Sequence, residues 1–108
     1  MNLGRYNECI EICKQLIKDN DSYADAYYNI GLAYFNQAIE LNKDRQKYRA
    51  NKEKIITLYQ RSKPYMEKFR ELSPTAKRKW LAPLYTIYLN LNMGKEFDEI
   101  DKLRKEKY

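Results

Sequence analysis

Two stretches of this 108-residue chain repeat one spacing. Cys9, Cys13, Leu16 and Asp21 are followed six positions later by Tyr27; Ser62, Met66, Phe69 and Pro74 are followed six positions later by Trp80. Steps of four and three place side chains on one face of an α-helix. Tyr27, Ile30, Gly31 and Tyr34 continue the pattern at i, i+3, i+4 and i+7. A glycine lowers helix propensity by about 1 kcal/mol. Kept inside such a stripe, it predicts that a second helix crosses closely there. A spacing that recurs at a fixed offset is the mark of stacked helical units, none of which buries its apolar face alone.

The run Tyr27-x-x-Ile30-Gly31-x-x-Tyr34 resembles the first-helix signature of the tetratricopeptide repeat, and Asn29 and Ala33 also match residues common in that family. Gly4-Arg5-Tyr6 with Cys9, Cys13 and Leu16 resembles the second helix of a preceding repeat, with Asp21 in the usual proline position. The register runs without a gap from there to Tyr27. The resemblance implies an all-α fold of right-handed antiparallel helix-turn-helix units, a superhelix of about 2.5 repeats. It divides the chain into the second helix of a truncated repeat (1–21), a complete repeat (22–74) and a degenerate capping repeat (75–108). It also implies a C-terminal piece of a longer array.

The spacing breaks inside the complete repeat. The family pattern expects about nine residues from the first-helix tyrosine to the small residue of the second helix. Tyr34 and Ser62 stand 28 positions apart. Ala38, Leu41, Tyr48, Ile55, Ile56 and Tyr59 carry an apolar stripe through the insertion, and no glycine or proline falls between Gly31 and Pro64. The expectation is two extended helices joined by a turn within 42–51, with Asp44 capping the returning helix. The alternative is a disordered tip over roughly 43–51. Ser73-Pro74 reads as a helix start, Pro83 as a kink or restart, and Asn92-Met93-Gly94 as a stop. Helices are expected at 5–19, 22–43, 46–72, 74–92 and 94–106.

Much chemistry is unsupported. The chain has no histidine, which removes the commonest general base and most zinc sites. Gly4, Gly31 and Gly94 are isolated, so no phosphate loop exists. Ser22, Ser62 and Ser73 have no histidine to activate them. Cys9 and Cys13 lie one helical turn apart, and bridging them would strain the helix; they read as small apolar residues. No catalytic residue, metal ligand or cofactor is assigned, and the chain is read as a non-enzyme. No run of eighteen apolar residues is present, so no membrane span is expected. The compartment stays open, because any export signal would lie upstream.

Binding is the remaining class. In the resembled family, stacked first helices line a concave groove that takes a peptide or a partner helix. By position, the groove residues here are Asp25, Tyr28, Asn29, Leu32, Phe35 and Asn36, then Arg78, Leu81, Tyr85 and Tyr88. Tyrosine suits such contacts because it buries much area with few rotors. One family subset grips a terminal carboxylate with lysine and asparagine. Asn29 matches, but Tyr28 and Ala82 depart, so that specificity is not carried over.

A second candidate is the basic tip. Lys43, Arg45, Lys47, Arg49, Lys52 and Lys54 are opposed there only by Asp44 and Glu53, and the whole chain carries a net charge of +6. Such a run could dock on nucleic acid or another anionic surface, but its one aromatic, Tyr48, is poor for base stacking. A solvated extension is the plainer reading, and nucleic acid is the less favoured partner. A third expectation is self-association through Tyr6, Cys9, Ile10, Cys13 and Ile17, a stripe expecting a helix that the chain lacks.

Overall fold

The computed structural model describes residues 3–43 and 45–106, with side chains described at 4–43 and 49–106. The described residues form five helices and no strand: α1 (Leu3–Asp19), α2 (Ala24–Lys43), α3 (Arg45–Leu72), α4 (Lys77–Asn90) and α5 (Gly94–Lys105). Consecutive helices pack side by side, and α2 also touches α4.

The α2–α3 hairpin is the centre of the molecule. Tyr28 meets Phe69, Gly31 meets Met66, Tyr34 meets Tyr65, and Phe35 meets Tyr59. Partners climb along α2 as they descend along α3, so the two helices are antiparallel. At the crossing, a Cβ on Gly31 would lie 3.0 Å from Met66 Cε and 3.3 Å from its backbone N. Ser62, fully buried, donates its hydroxyl to the Gly31 carbonyl at 2.7 Å. Small residues on both sides let the backbones approach, and the hydroxyl spends its donor on a carbonyl already inside the helix. Met66, Phe69 and Tyr59 are all 1% exposed or less, so this contact is sealed from solvent.

The extension is helical, as the apolar stripe predicted. Ala38 and Leu41 bury against the same core as Ile55, Leu58 and Tyr59. The reversal falls inside the expected window. α2 ends at Lys43, and the backbone of α3 leaves helical geometry at Asn51 (φ −123°, ψ 22°) before its long arm begins. The proposed cap Asp44 lies outside the described residues.

Three expectations need correction. First, the stripe Tyr6, Cys9, Ile10, Cys13 and Ile17 is not open to a second copy. Ile10 and Cys13 are buried against Ala26, Ile30 and Ala33 of α2, with Tyr6, Cys9 and Ile17 packed around them. α1 rests on α2, so this stripe finds its cover within the chain. What α1 leaves exposed is Ile12 (63%) and Leu16 (37%).

Second, Ser73-Pro74 does not start α4. Ser73 N–H still bonds Phe69 O, and Ala76 N–H bonds Ser73 O, which closes a turn; the helix begins at Lys77, and Ala76 gives it no side-chain cap. Third, of the kink or restart expected at Pro83, the restart does not occur: α4 runs through it from Lys77 to Asn90. Interior proline costs a helix about 3 kcal/mol. Here Trp80, Leu81, Leu84, Ile87 and Pro83 itself are buried, and that packing outweighs the lost hydrogen bond.

The start of α2 also shifts, from 22 to Ala24. Asn20 takes the intervening residues into a turn: its side chain accepts Ser22 N–H at 3.1 Å, and its carbonyl accepts Tyr23 N–H. Tyr27 donates its hydroxyl to Asp21 O at 2.7 Å, which ties the aromatic to the turn six residues before it. The stop after α4 is real, but Asn92 makes it. Asn92 takes the left-handed conformation (φ 54°), Met93 N–H reaches back to Tyr88 O, and Asn92 N–H to Leu89 O. This is the two-bond Schellman closure, with asparagine in the place glycine usually takes. Gly94 then opens α5.

The two helical glycines therefore predict opposite outcomes. Gly31→Ala gains helix propensity but overpacks the crossing, where the Met66 backbone must give; the expected net loss is about 1–2 kcal/mol. Gly94→Ala meets nothing within 4 Å and should gain about 0.5 kcal/mol by stiffening the unfolded chain. Urea unfolding of both variants checks the pair of signs.

Candidate binding face

α2 and α4 each carry a tyrosine in a similar setting. The Tyr28 ring lies 4.7 Å from that of Phe69, tilted by 41°, and the Lys79 ammonium stands 5.4 Å from its centroid. The Tyr85 ring lies 5.0 Å from Phe97, and the Arg104 guanidinium stands 5.0 Å from its centroid. Each ring is half-buried, braced behind by a phenylalanine and approached by a cation. A cation over an aromatic face is held by the ring quadrupole with about 0.5–1 kcal/mol at exposed sites. These pairs stiffen the rings at little entropic cost. Burial also pushes the Tyr28 hydroxyl above its ordinary ionisation range.

The other positions divide. Asp25, Asn29 and Arg78 are exposed, while Leu32, Phe35 and Asn36 are half-buried, with Phe35 tilted against Tyr59. Leu81 and Tyr88 depart from the sequence reading. They are 2% and 3% exposed and belong to the core. Tyr88 points toward α3, where its hydroxyl donates to Glu67 Oε2 at 2.6 Å, and Glu67 also pairs with Lys63. The helix turns a residue four past Leu81 outward and one seven past it inward. The family-derived list took the whole stripe as open, whereas α4 turns Leu81 and Tyr88 into the core.

Lys79 stands in the basic run Lys77-Arg78-Lys79, which names no ring partner, and Arg104 gave no signal. Its contact with Tyr85 exists because the Asn92 closure folds α5 back along α4, so it depends on a tertiary turn rather than on spacing. The same fold-back brings Glu99 of α5 to Arg70 of α3 at 2.8 Å, and Arg70 lies over the Trp80 ring at 4.6 Å.

In the basic tip, Lys43, Arg49, Lys52 and Lys54 are exposed; the side chains of Arg45 and Lys47 lie outside the described residues. Cys13 is buried, and burial with the neighbouring Cys9 pushes its thiol up to about 11. That holds it protonated and unreactive at neutral pH. Among the described residues, no three His, Cys, Asp or Glu side chains gather to hold a metal ion, and no helix is long and apolar enough to cross a membrane.

Tyr88, Tyr59, Tyr28 and Tyr6 all have their ionisation raised above 10.0, chiefly by burial. The unfolded chain ionises these groups near pH 10 while the native chain holds their protons. Their stabilising contribution is thus whole below pH 10 and is lost as pH rises above it. Stability should fall steeply above about pH 10, with late-titrating tyrosines visible by absorbance at 295 nm. Tyr88→Phe should cost about 1–2 kcal/mol at pH 7 and shallow that alkaline slope, as read by urea unfolding across pH 8–11.

Comparison with protein-family models, with curated proteins and with solved structures found no match.

Proposed function

We propose that the chain is a tetratricopeptide-like, non-catalytic scaffold that binds a peptide or protein segment on the open face of α2 and α4. The observation that carries the reading is the pair of half-buried tyrosines, Tyr28 and Tyr85, one on each helix and each braced by a phenylalanine and a cation. Rigid aromatics presented beside exposed polar groups are what interface hot spots are made of. Exposed Asp25, Asn29 and Arg78 would supply the polar rim that fixes register.

Two features support the repeat assignment beyond helix content. The Gly31–Ser62 contact sits where the resembled pattern pairs its glycine with a small residue. The order of packing, each helix resting on the one before and the one after, is what a linear helical array requires. The elongated hairpin adds apolar burial at Ala38, Leu41, Ile55 and Leu58 to a short array.

Selection of random peptides displayed against the immobilised chain tests the reading. Selected peptides should lose about 30-fold in affinity against Tyr28→Ala with Tyr85→Ala, the size of a hot spot of about 2 kcal/mol. Asn29→Ala with Arg78→Ala should shift the selected sequence at unchanged thermal stability. Peptides indifferent to both sets would place binding elsewhere and overturn the proposal.

A further inference from the structure

α1 and α3 both lie against α2, yet no Cα of one comes within 8 Å of a Cα of the other. A cleft of about 430 Å³ opens between them, with α2 as its floor. Asn7 to Lys14 of α1 forms one wall and Lys54 to Arg61 of α3 the other, so the walls run for two helical turns. That is about 10 Å of length at 1.5 Å per residue. Buried Ile10, Gln37 and Leu58 seal the bottom. Because the floor is sealed, little apolar area is on offer, and recognition there must be mainly electrostatic.

The wall charges are one-sided. Lys14, Lys54 and Arg61 face the cleft against a single lining carboxylate, Glu11. Among the described residues none of the three cations has a carboxylate in salt-bridge range, whereas Lys63, Lys68, Arg70, Arg104 and Lys105 do. Lys54 and Arg61 stand seven positions apart, two turns on one helix face. A second helix laid in the trough presents side chains at the same interval.

We infer that this cleft receives an acidic helical segment of a partner protein. Carboxylates at i and i+7 on one flank of that segment meet Lys54 and Arg61, and a carboxylate on its other flank meets Lys14. Arg61 can take its carboxylate through two parallel hydrogen bonds. A polyphosphate strand suits the site less well. Glu11 repels a continuous anion, and Tyr34 is tilted against Tyr65 at 6.2 Å rather than free to stack a base. The site is separate from the Tyr28–Tyr85 face and does not depend on it.

The test uses the full chain, amide chemical-shift mapping and a stapled sixteen-residue helical probe. The probe carries an alanine ridge, glutamates at i and i+7 on one flank, and one glutamate on the other. Saturable shifts at Ile10, Thr57 and Leu58 are expected. A probe of the same composition with its flank glutamates five apart should bind at least tenfold more weakly, which separates recognition from the general pull of a +6 chain. Lys14→Glu with Lys54→Glu and Arg61→Glu should lose the glutamate probe and gain a lysine-flanked one. That gain also shows that the variant is folded. Equal binding of both spacings, shifts confined to α2 and α4, no saturable shift, or a twelve-nucleotide single strand displacing the probe from these amides would each overturn the inference.

Discussion

Everything in this molecule is hung on the crossing of α2 and α3 at Gly31. Without a side chain there, the Met66 backbone comes within van der Waals reach, and Ser62 can spend its hydroxyl on the Gly31 carbonyl inside a dry core. The apolar stripes of both helices stay in contact well past this crossing, by way of Ala38 and Leu41 to Ile55. A bulkier residue at the crossing would separate the arms where they are longest, and the loss would spread along the stripe.

Around that pair, the outer helices take what each arm leaves over. α1 covers the Ala26, Ile30 and Ala33 side of α2, while α4 covers the Met66 and Phe69 side of α3. α5 closes the end, held by Phe97 on Tyr85 and by the Arg70–Glu99 pair, which is partly exposed and contributes well under 1 kcal/mol on its own. Among the described residues, the buried Glu40 Oε2, Tyr59 hydroxyl and Trp80 indole N–H have no hydrogen-bond partner, and the indole is the costliest to account for. Trp80 is 2% exposed, and its indole N–H has no acceptor among the described residues. Burying such a donor costs about 1–3 kcal/mol, which the large ring must repay through packing against α3.

Much of this was legible in the residues because periodicity is a local property. The five helices, the Gly31 approach and the helical nature of the long insertion all follow from stripes within one or two turns. What escaped was settled by competition between local and tertiary terms. Ser73-Pro74 has the chemistry of a helix start, yet Ser73 is drawn back to close the end of α3. Pro83 has the chemistry of a break, yet its helix is pinned by buried neighbours. The α1 stripe was assigned to a missing helix because the spacing shows that a face is apolar and says nothing of which neighbour covers it. Leu81 and Tyr88 were placed on the open face by family position, but both turn into the core, Tyr88 toward Glu67 of α3. The cleft could not be read at all: its walls, 7–14 and 54–61, are brought together only through α2.

Charge placement separates the two open faces of α2. On the α4 side, cations are used internally, laid over Tyr28 and Tyr85, so that face presents stiff aromatics with the positive charge already engaged. On the α1 side, the aromatics are engaged with each other, Tyr34 with Tyr65, and the cations are left over. Stability does not require the second arrangement, since an exposed lysine is well solvated alone and a surface pair would add little. Three cations around one trough, two of them at helical spacing and none paired among the described residues, therefore have no structural task in the isolated chain. A partner's carboxylates would give them one, and the two faces would then recognise by different physics: shape and aromatic area on one, charge register on the other.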